Sequence, residues 1–164
     1  MDAPQPVEIL DVATCWELLE RGTVGRLAVD IAGQPDIFPI NYVVDKVPGR
    51  GPSFVFRTAA GTKLAGAVLG PWVAFEIDGL SPDSRVAWSV VVKGQAREVE
   101  NMYELFAVED LPLFPWMAGP KPNFVRIEPK LVTGRRFHVV DDARTSPPGA
   151  DAEFHPGAPK IPPD

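Results

Sequence analysis

The stretch Phe54-Val-Phe-Arg-Thr-Ala-Ala-Gly-Thr-Lys63 joins an apolar run to a turn of small residues, and a segment rich in alanine and glycine follows it. This pattern predicts a strand that ends at Thr58, then a turn, then a short helix over residues 62–69. Backbone N–H groups at the start of a helix lack partners within the helix and attract anions. Because Arg57, Thr62 and Lys63 add charge and a hydroxyl at this junction, the stretch predicts a phosphate-binding site.

The composition indicates one globular domain. The 164 residues suffice for a core of their own, and 45% of them are apolar. The net charge of -6, without a dense Lys/Arg run, argues against a nucleic-acid partner. No apolar run approaches the roughly 20 residues of a membrane-spanning helix, and the N-terminus does not resemble a signal peptide. Cys15 is the single cysteine, which excludes an internal disulfide. We therefore expect a cytoplasmic protein without a membrane or nucleic-acid partner.

Two helices are predicted besides the one after Thr58. The first covers residues 11–21, where apolar side chains recur at helical spacing and Gly22 is a suitable end. Either Asp11 or a capping box of Thr14 and Glu17 begins it. The second covers residues 101–108.

Strand patterns dominate the remainder. We predict strands over residues 24–30, 36–45, 53–58, 72–78 and 86–99. Pro39 indicates a sheet edge or a bulge in the second of these, and Gly94 indicates a bulge or a close backbone approach in the fifth. Residues 123–140 predict one or two further strands, broken near Pro129 or Gly134.

Short strands without regular strand–helix alternation predict a mainly β fold, an antiparallel β-barrel with added α-helices. We expect an extended N-terminal segment over residues 1–10, the barrel domain over 11–140, and a proline-rich C-terminal tail over 141–164. The tail holds almost no branched apolar residues, so we expect it to be disordered or to wrap a partner subunit.

Five segments, in this order, resemble the pyridoxamine 5′-phosphate oxidase-like superfamily of FMN-binding split barrels. They are residues 22–28, 39–42, 57–63, 88–94 and 126–136. The resemblance covers residues 10–140 and is closest to a small actinobacterial branch and to the nitroimidazole-resistance proteins.

This resemblance implies an FMN-binding homodimer with the flavin at the subunit interface. Thr62 and Lys63 would hold its phosphate, and Trp88 and Ser89 would come from the other subunit. Arg57 and Gly61 would lie beside the phosphate. The isoalloxazine edge would be lined by Ile40, Asn41 and Tyr42, and its pyrimidine side would be contacted, mostly through the backbone, by Arg57 and Thr58. The implied cofactor-binding residues are Ile40, Asn41, Tyr42, Arg57, Thr58, Gly61, Thr62, Lys63, Trp88 and Ser89.

Several of these residues also have a purely structural interpretation. Asn41 lies in an apolar strand, where its amide needs a partner, and that partner is either a ring edge or a protein group. Tyr42 is more typical of packing than of catalysis. Trp88 and Ser89 are equally compatible with a buried strand at a sheet or dimer contact.

The function expected is that of an FMN-dependent oxidoreductase that reduces a small organic acceptor. No Ser/His/Asp set, Walker loop, dinucleotide fingerprint or metal-ligand spacing occurs, so the chemistry would reside in the cofactor and no catalytic residue is assigned. One alternative is a reductase that uses the deazaflavin F420, held in a basic groove of Arg50, Arg57, Lys63 and Arg135. Another is a non-enzymatic protein that binds flavin or haem. The family's basic and histidine motif is replaced by Thr133-Gly-Arg-Arg-Phe137, so oxidation of pyridoxamine phosphate is not expected.

Overall fold

A computed structural model describes residues 7–59, 72–81, 83–113 and 123–138. The predicted helix over 62–69 and the C-terminal tail lie outside these residues. The helices described are α1 (Val12–Arg21) and α2 (Met102–Glu109). The strands described are β1 (Val7–Leu10), β2 (Val24–Ile31), β3 (Gln34–Asp45), β4 (Ser53–Thr58), β5 (Trp72–Ser81), β6 (Val86–Glu98) and β7 (Asn123–His138).

The strands form an antiparallel barrel that is split where neighbouring strands part. They follow the order β1-β7-β4-β3-β2-β5-β6, and a further pairing of β6 with β7 closes the ring. The split is visible in β3, which pairs with β2 through residues 34–41 and with β4 only through residues 42–45. Pro39 therefore has a ladder neighbour on one side only, which suits a residue without an N–H donor. The prediction of an antiparallel split barrel is confirmed.

The interior of the barrel is filled with side chains. Alternate residues of each strand point inward, as Gly25, Leu27 and Val29 do in β2. Phe54, Phe56 and Phe75 are fully buried there, and the rings of Phe54 and Phe75 lie 5.2 Å apart. The described side chains therefore fill the interior, as is usual for a barrel of this size.

Helix α1 covers the core with one apolar face, and its ends follow from the sequence. The Asp11 carboxylate accepts a hydrogen bond from the N–H of Thr14 at 2.7 Å, so Asp11 is the N-cap. The Gly22 N–H donates to the carbonyl of Leu18 at the other end. Cys15 and Leu19 are fully buried beneath the helix, and a Cβ added at Gly134 would lie 2.5 Å from the Cys15 sulfur.

The prediction that the last strand breaks at Pro129 or Gly134 is wrong, because β7 runs without interruption from Asn123 to His138. Pro129 lies opposite Gly94, where the register between β6 and β7 shifts. This bulge tolerates the missing N–H of proline. A Cβ at Gly94 would lie 2.3 Å from the Glu128 carbonyl oxygen, which confirms the predicted bulge and close backbone approach. Gly134 does not break the strand, and its lack of a side chain leaves room for the Cys15 sulfur.

Strand β1 and helix α2 complete the described fold. Strand β1, which the sequence patterns did not indicate, pairs with residues 134–137 of β7. Helix α2 begins after Asn101, whose side chain accepts hydrogen bonds from the N–H groups of Tyr103 and Glu104. The helix covers a second apolar cluster on the outside of the barrel, formed by Val55, Val99, Val108 and Phe124. Among the residues that the structure describes, α2 covers one part of the outer surface and leaves another part open.

Candidate functional site

Five of the described residues that the sequence assigned to the flavin lie where β3 and β4 part, and these are Ile40, Asn41, Tyr42, Arg57 and Thr58. Tyr42 pairs with Phe56 at the last ladder position between the two strands. Asn41 and Arg57 are the next residues on each side, and the alternation of the strands points both outward. The two side chains therefore start from neighbouring positions on the open outer surface.

A ring contact orients Arg57. Its guanidinium carbon lies 5.0 Å from the centroid of the Phe124 ring, and the two residues are direct partners across β4 and β7. Such a contact holds a cation in place without removing its charge. Phe124 itself is buried in the cluster under α2. Sequence reasoning did not assign it a role, although its position in the apolar run of β7 marked it as a packing residue.

Ile40 and Tyr42 point the other way, into the core. Both are buried, and the Tyr42 hydroxyl donates to the carbonyl of Leu19 at 2.6 Å. Burial raises the pKa of Tyr42, so the hydroxyl stays protonated. Their side chains therefore do not reach a ligand on the outer surface, and any contact they make there is through the backbone. The packing interpretation of Tyr42 fits this placement.

The junction after β4, for which the sequence predicted a phosphate site, is described only up to Ala59. Thr58 is 4% exposed on the inward side of β4. Gly61, Thr62 and Lys63 lie outside the described residues. The segment that carries them leaves β4 at Thr58, so it starts from the same strand end as Arg57.

Trp88 and Ser89 lie elsewhere on the barrel. Trp88 faces inward and packs against the core, with its ring across Gly79. Ser89 faces outward between Asp78 on β5 and Arg135 on β7. Strands β4 and β6 both pair with β7, where Arg57 lies opposite Phe124 and Ser89 lies opposite Arg135, eleven residues further along. Eleven residues of a strand span roughly 36 Å. The described residues of one chain therefore do not bring Ser89 and Arg57 into one pocket.

The surface between them holds a different cation. Arg26 on β2 contacts Asp78 at 2.5 Å and Glu76 at 3.1 Å. The hydrogen bond to Asp78, with the charge of Glu76, raises the pKa of Arg26. Because two carboxylates already neutralise Arg26, it is poorly suited to bind an anionic ligand.

A buried ion-pair network lies under α2, and sequence reasoning missed it. Arg126 on β7 is 4% exposed, and its guanidinium contacts Glu104 at 2.6 Å and Asp45 at 2.8 Å. It also donates to the Ser53 hydroxyl. Arg97 joins the network through two hydrogen bonds to Glu104. The available signal was one arginine inside the apolar run Phe124–Ile127, which indicates a charge that needs buried partners.

The network also sets the titration of its central carboxylate. The hydrogen bonds from Arg97, and then those from Arg126, lower the pKa of Glu104 below its ordinary value of 4.5. Glu104 is therefore ionised at neutral pH and is a structural partner rather than a proton donor or acceptor. The network is an anchor of α2 on the barrel.

Within residues 7–59, 72–81, 83–113 and 123–138, no group of three or more His, Cys, Asp or Glu side chains could hold a metal ion. In the same ranges, no helix has both the length and the apolar character needed to cross a bilayer.

Comparisons with known proteins place the chain in a family. The sequence profile of pyridoxamine 5′-phosphate oxidase matches residues 11–136. The uncharacterized protein Rv0080 of Mycobacterium tuberculosis is 38% identical over 141 residues, which are 83% of this chain and 88% of the relative.

Two solved structures are similar over nearly their whole length. A Corynebacterium glutamicum protein has a TM-score of 0.74 and 36% identity, over 86% of this chain and 100% of that one. The FAD binding protein from Mycobacterium smegmatis has a TM-score of 0.68 and 36% identity, over 80% and 98% respectively. The family predicted from the sequence is confirmed: this chain belongs to the pyridoxamine 5′-phosphate oxidase family.

Proposed function

We propose that this protein binds a flavin on the open outer surface at the end of β4 and acts as an oxidoreductase towards a small organic acceptor. The observation that carries the proposal is the position of Arg57, whose guanidinium contacts the Phe124 ring beside Asn41. In the same family, a 36% identical relative is an FAD binding protein. The interior of the barrel is packed, so this surface is where a ring system has room.

The residues present suit a flavin. The Arg57 guanidinium offers several N–H donors to carbonyl or phosphate oxygens, and the Asn41 amide offers both a donor and an acceptor to a ring edge. Phe124 supplies an apolar flank beside them. Gly61, Thr62 and Lys63 follow the end of β4 in the sequence, and we propose that they hold the phosphate.

A bound flavin supplies reversible two-electron chemistry, and the protein supplies binding and orientation. Arg57 and Asn41 fix the position of the ring and of its polar edge. The filled barrel behind them excludes water from one side of the ligand. No described side chain is assigned to proton transfer, because Tyr42 is held in the core by Leu19.

We further propose a homodimer with the cofactor between the subunits. Ser89 faces outward roughly 36 Å along β7 from Arg57 within one chain, so the partner subunit is the route by which it would reach the same ligand. The Trp88 ring packs against the core, so any contact that Trp88 makes there would be through its backbone. Light scattering at micromolar concentration should show twice the mass of the chain. A monomer would contradict this arrangement.

The first experiment is a visible spectrum of the freshly purified protein, with mass spectrometry of any small molecule that it releases. We expect flavin absorbance bands and release of FMN. Release of FAD would instead assign the cofactor of the Mycobacterium smegmatis relative, and uptake of F420 alone would support the deazaflavin alternative. A colourless protein that takes up no flavin in titration would refute the proposal.

The second experiment replaces Arg57 by glutamine. Loss of a charge-assisted contact should weaken flavin binding by about 1–3 kcal/mol, which is roughly 10- to 100-fold in Kd. Lys93→Gln is the control, because Lys93 is exposed on β6 opposite Leu131, seven residues or roughly 23 Å along β7 from the partner of Arg57. Equal affinities in the two variants would remove Arg57 from the site. Turnover with a reduced nicotinamide and a quinone or nitro acceptor then separates an enzyme from a protein that only binds flavin.

A further inference from the structure

A second cavity lies at the opposite end of β4 from Arg57. It is about 350 Å³ in volume and lies between the loop that joins β3 to β4 and the middle of β7. Ser53 and Arg126 form its buried side, and Arg50 and Lys130 stand exposed at its rim. Strand β4 has six residues, so roughly 20 Å separate this cavity from the proposed flavin surface.

The charges that line this cavity are mostly positive. Arg50, Arg126 and Lys130 face one carboxylate, Glu128, and Arg97 engages that carboxylate at 3.0 Å. Arg126 is neutralised by Asp45 and Glu104. Arg50 and Lys130 form no ion pair with any other residue that the structure describes. Two uncompensated cations therefore flank one opening in a chain whose net charge is -6.

The walls between the two cations are apolar. Val47, Pro52 and Pro129 line the cavity beside the charged rim. A pocket of this size with apolar walls and a few convergent polar groups fits a small organic molecule better than a bare ion. The buried network around Arg126 holds the floor in a fixed shape, because Arg126 is tied to Ser53, Asp45 and Glu104 at once.

We propose that this cavity binds a small organic anion, with its carboxylate or phosphate between Arg50 and Lys130 and its apolar part against Val47, Pro52 and Pro129. Charge-assisted hydrogen bonds from the two side chains hold the anionic group. The site is separate from the proposed flavin surface and does not depend on it. Arg50 and Arg57, which the sequence grouped in one basic groove for the deazaflavin alternative, lie towards opposite ends of β4.

The test is a titration of the ¹⁵N-labelled protein with phenyl phosphate, benzoate and inorganic phosphate, followed by amide chemical shifts. We expect saturable shifts at Gly51, Ser53 and Lys130. Phenyl phosphate should bind roughly tenfold more tightly than inorganic phosphate, because its ring buries apolar surface. Whether phenyl phosphate or benzoate binds more tightly identifies the preferred anionic group.

The double variant Arg50→Glu/Lys130→Glu should weaken binding of phenyl phosphate at least roughly tenfold. Arg135→Glu is the control, because Arg135 is exposed and lies five residues beyond Lys130 on β7, roughly 16 Å further along the strand. Unchanged affinity in the double variant, equal loss in the control, or no saturable shift would overturn the proposal. Shifts confined to Asn41 and Arg57 would assign the ligand to the flavin surface and would overturn it as well.

Discussion

Arg57 and Arg126 begin from neighbouring outward positions on adjacent strands, yet they have opposite surroundings. Arg57 lies across from Phe124, and Arg126 lies across from Val55. Arg126 is covered by α2 and is bound by two carboxylates and a hydroxyl. Arg57 is partly exposed and rests on an aromatic ring. The difference shows that the cover over a strand position, and not the residue type, separates a structural arginine from one suited to bind a ligand.

The largest expected effect is a loss of folding stability when Arg126, the structural arginine, is replaced. Arg126→Ala leaves buried carboxylates without their cation and should lower the free energy of unfolding by about 3–5 kcal/mol. Arg136→Ala is the matched control on the same strand, because its pair with Glu8 is far more exposed. That control should cost about 1 kcal/mol or less. Urea unfolding measures both, and equal losses would show that the buried network does not anchor α2.

The next largest effect is the pH dependence of the stability that Glu104 contributes. The hydrogen bonds from Arg97 and Arg126 lower the pKa of Glu104 below 4.5 in the folded protein. The stability that this carboxylate contributes is therefore present above about pH 4.5 and is lost as the pH falls through the lowered pKa. Glu104→Gln should cost about 1.5–3 kcal/mol at pH 7, and the difference from the wild type should shrink in acid.

Urea unfolding between pH 3 and pH 7 checks this behaviour. Glu128→Gln is the control, since the Glu128 side chain is more exposed and contacts Arg97 alone in this network. A difference between the wild type and Glu104→Gln that stays constant with pH would contradict the assignment.

The smallest expected effect is a loss of flavin affinity when the ring beside Arg57 is removed. Phe124→Leu keeps an apolar side chain under α2 but removes the ring that orients Arg57. Flavin affinity should fall by about 0.5–1 kcal/mol, because the guanidinium gains freedom that binding must remove. Phe106→Leu, on the exposed side of α2, should leave the affinity unchanged. Isothermal titration calorimetry measures both, and unchanged affinity in Phe124→Leu would separate the ring contact from ligand binding.

The strands and helices could be predicted because their signals are local. Alternating apolar residues marked β2 to β6, Asp11 and Gly22 marked the ends of α1, and Gly94 marked the bulge. The continuity of β7 could not be predicted, because Pro129 is tolerated where β7 itself bulges at Lys130, which the pairing with β6 skips. Strand β1 has four residues and depends on pairing with β7, so its own sequence carried little signal.

The candidate site was predicted only in part, for a similar reason. The sequence brought attention to Arg57 and Asn41, and the barrel places them side by side. It could not show that Ile40 and Tyr42 turn inward, because a one-residue change in strand phase exchanges the two faces. The partners of Arg126 come from β3, β4 and α2, which are distant in the chain and meet only after folding.

The packed interior of the barrel has an evolutionary consequence. Side chains such as Phe54, Phe56 and Phe75 hold the fold together from within, while the outward positions on the same strands face possible ligands. Because alternate residues serve these two tasks, mutations that alter ligand preference need not disturb the core. Members of such a family can therefore diverge in the molecules they accept while retaining one scaffold.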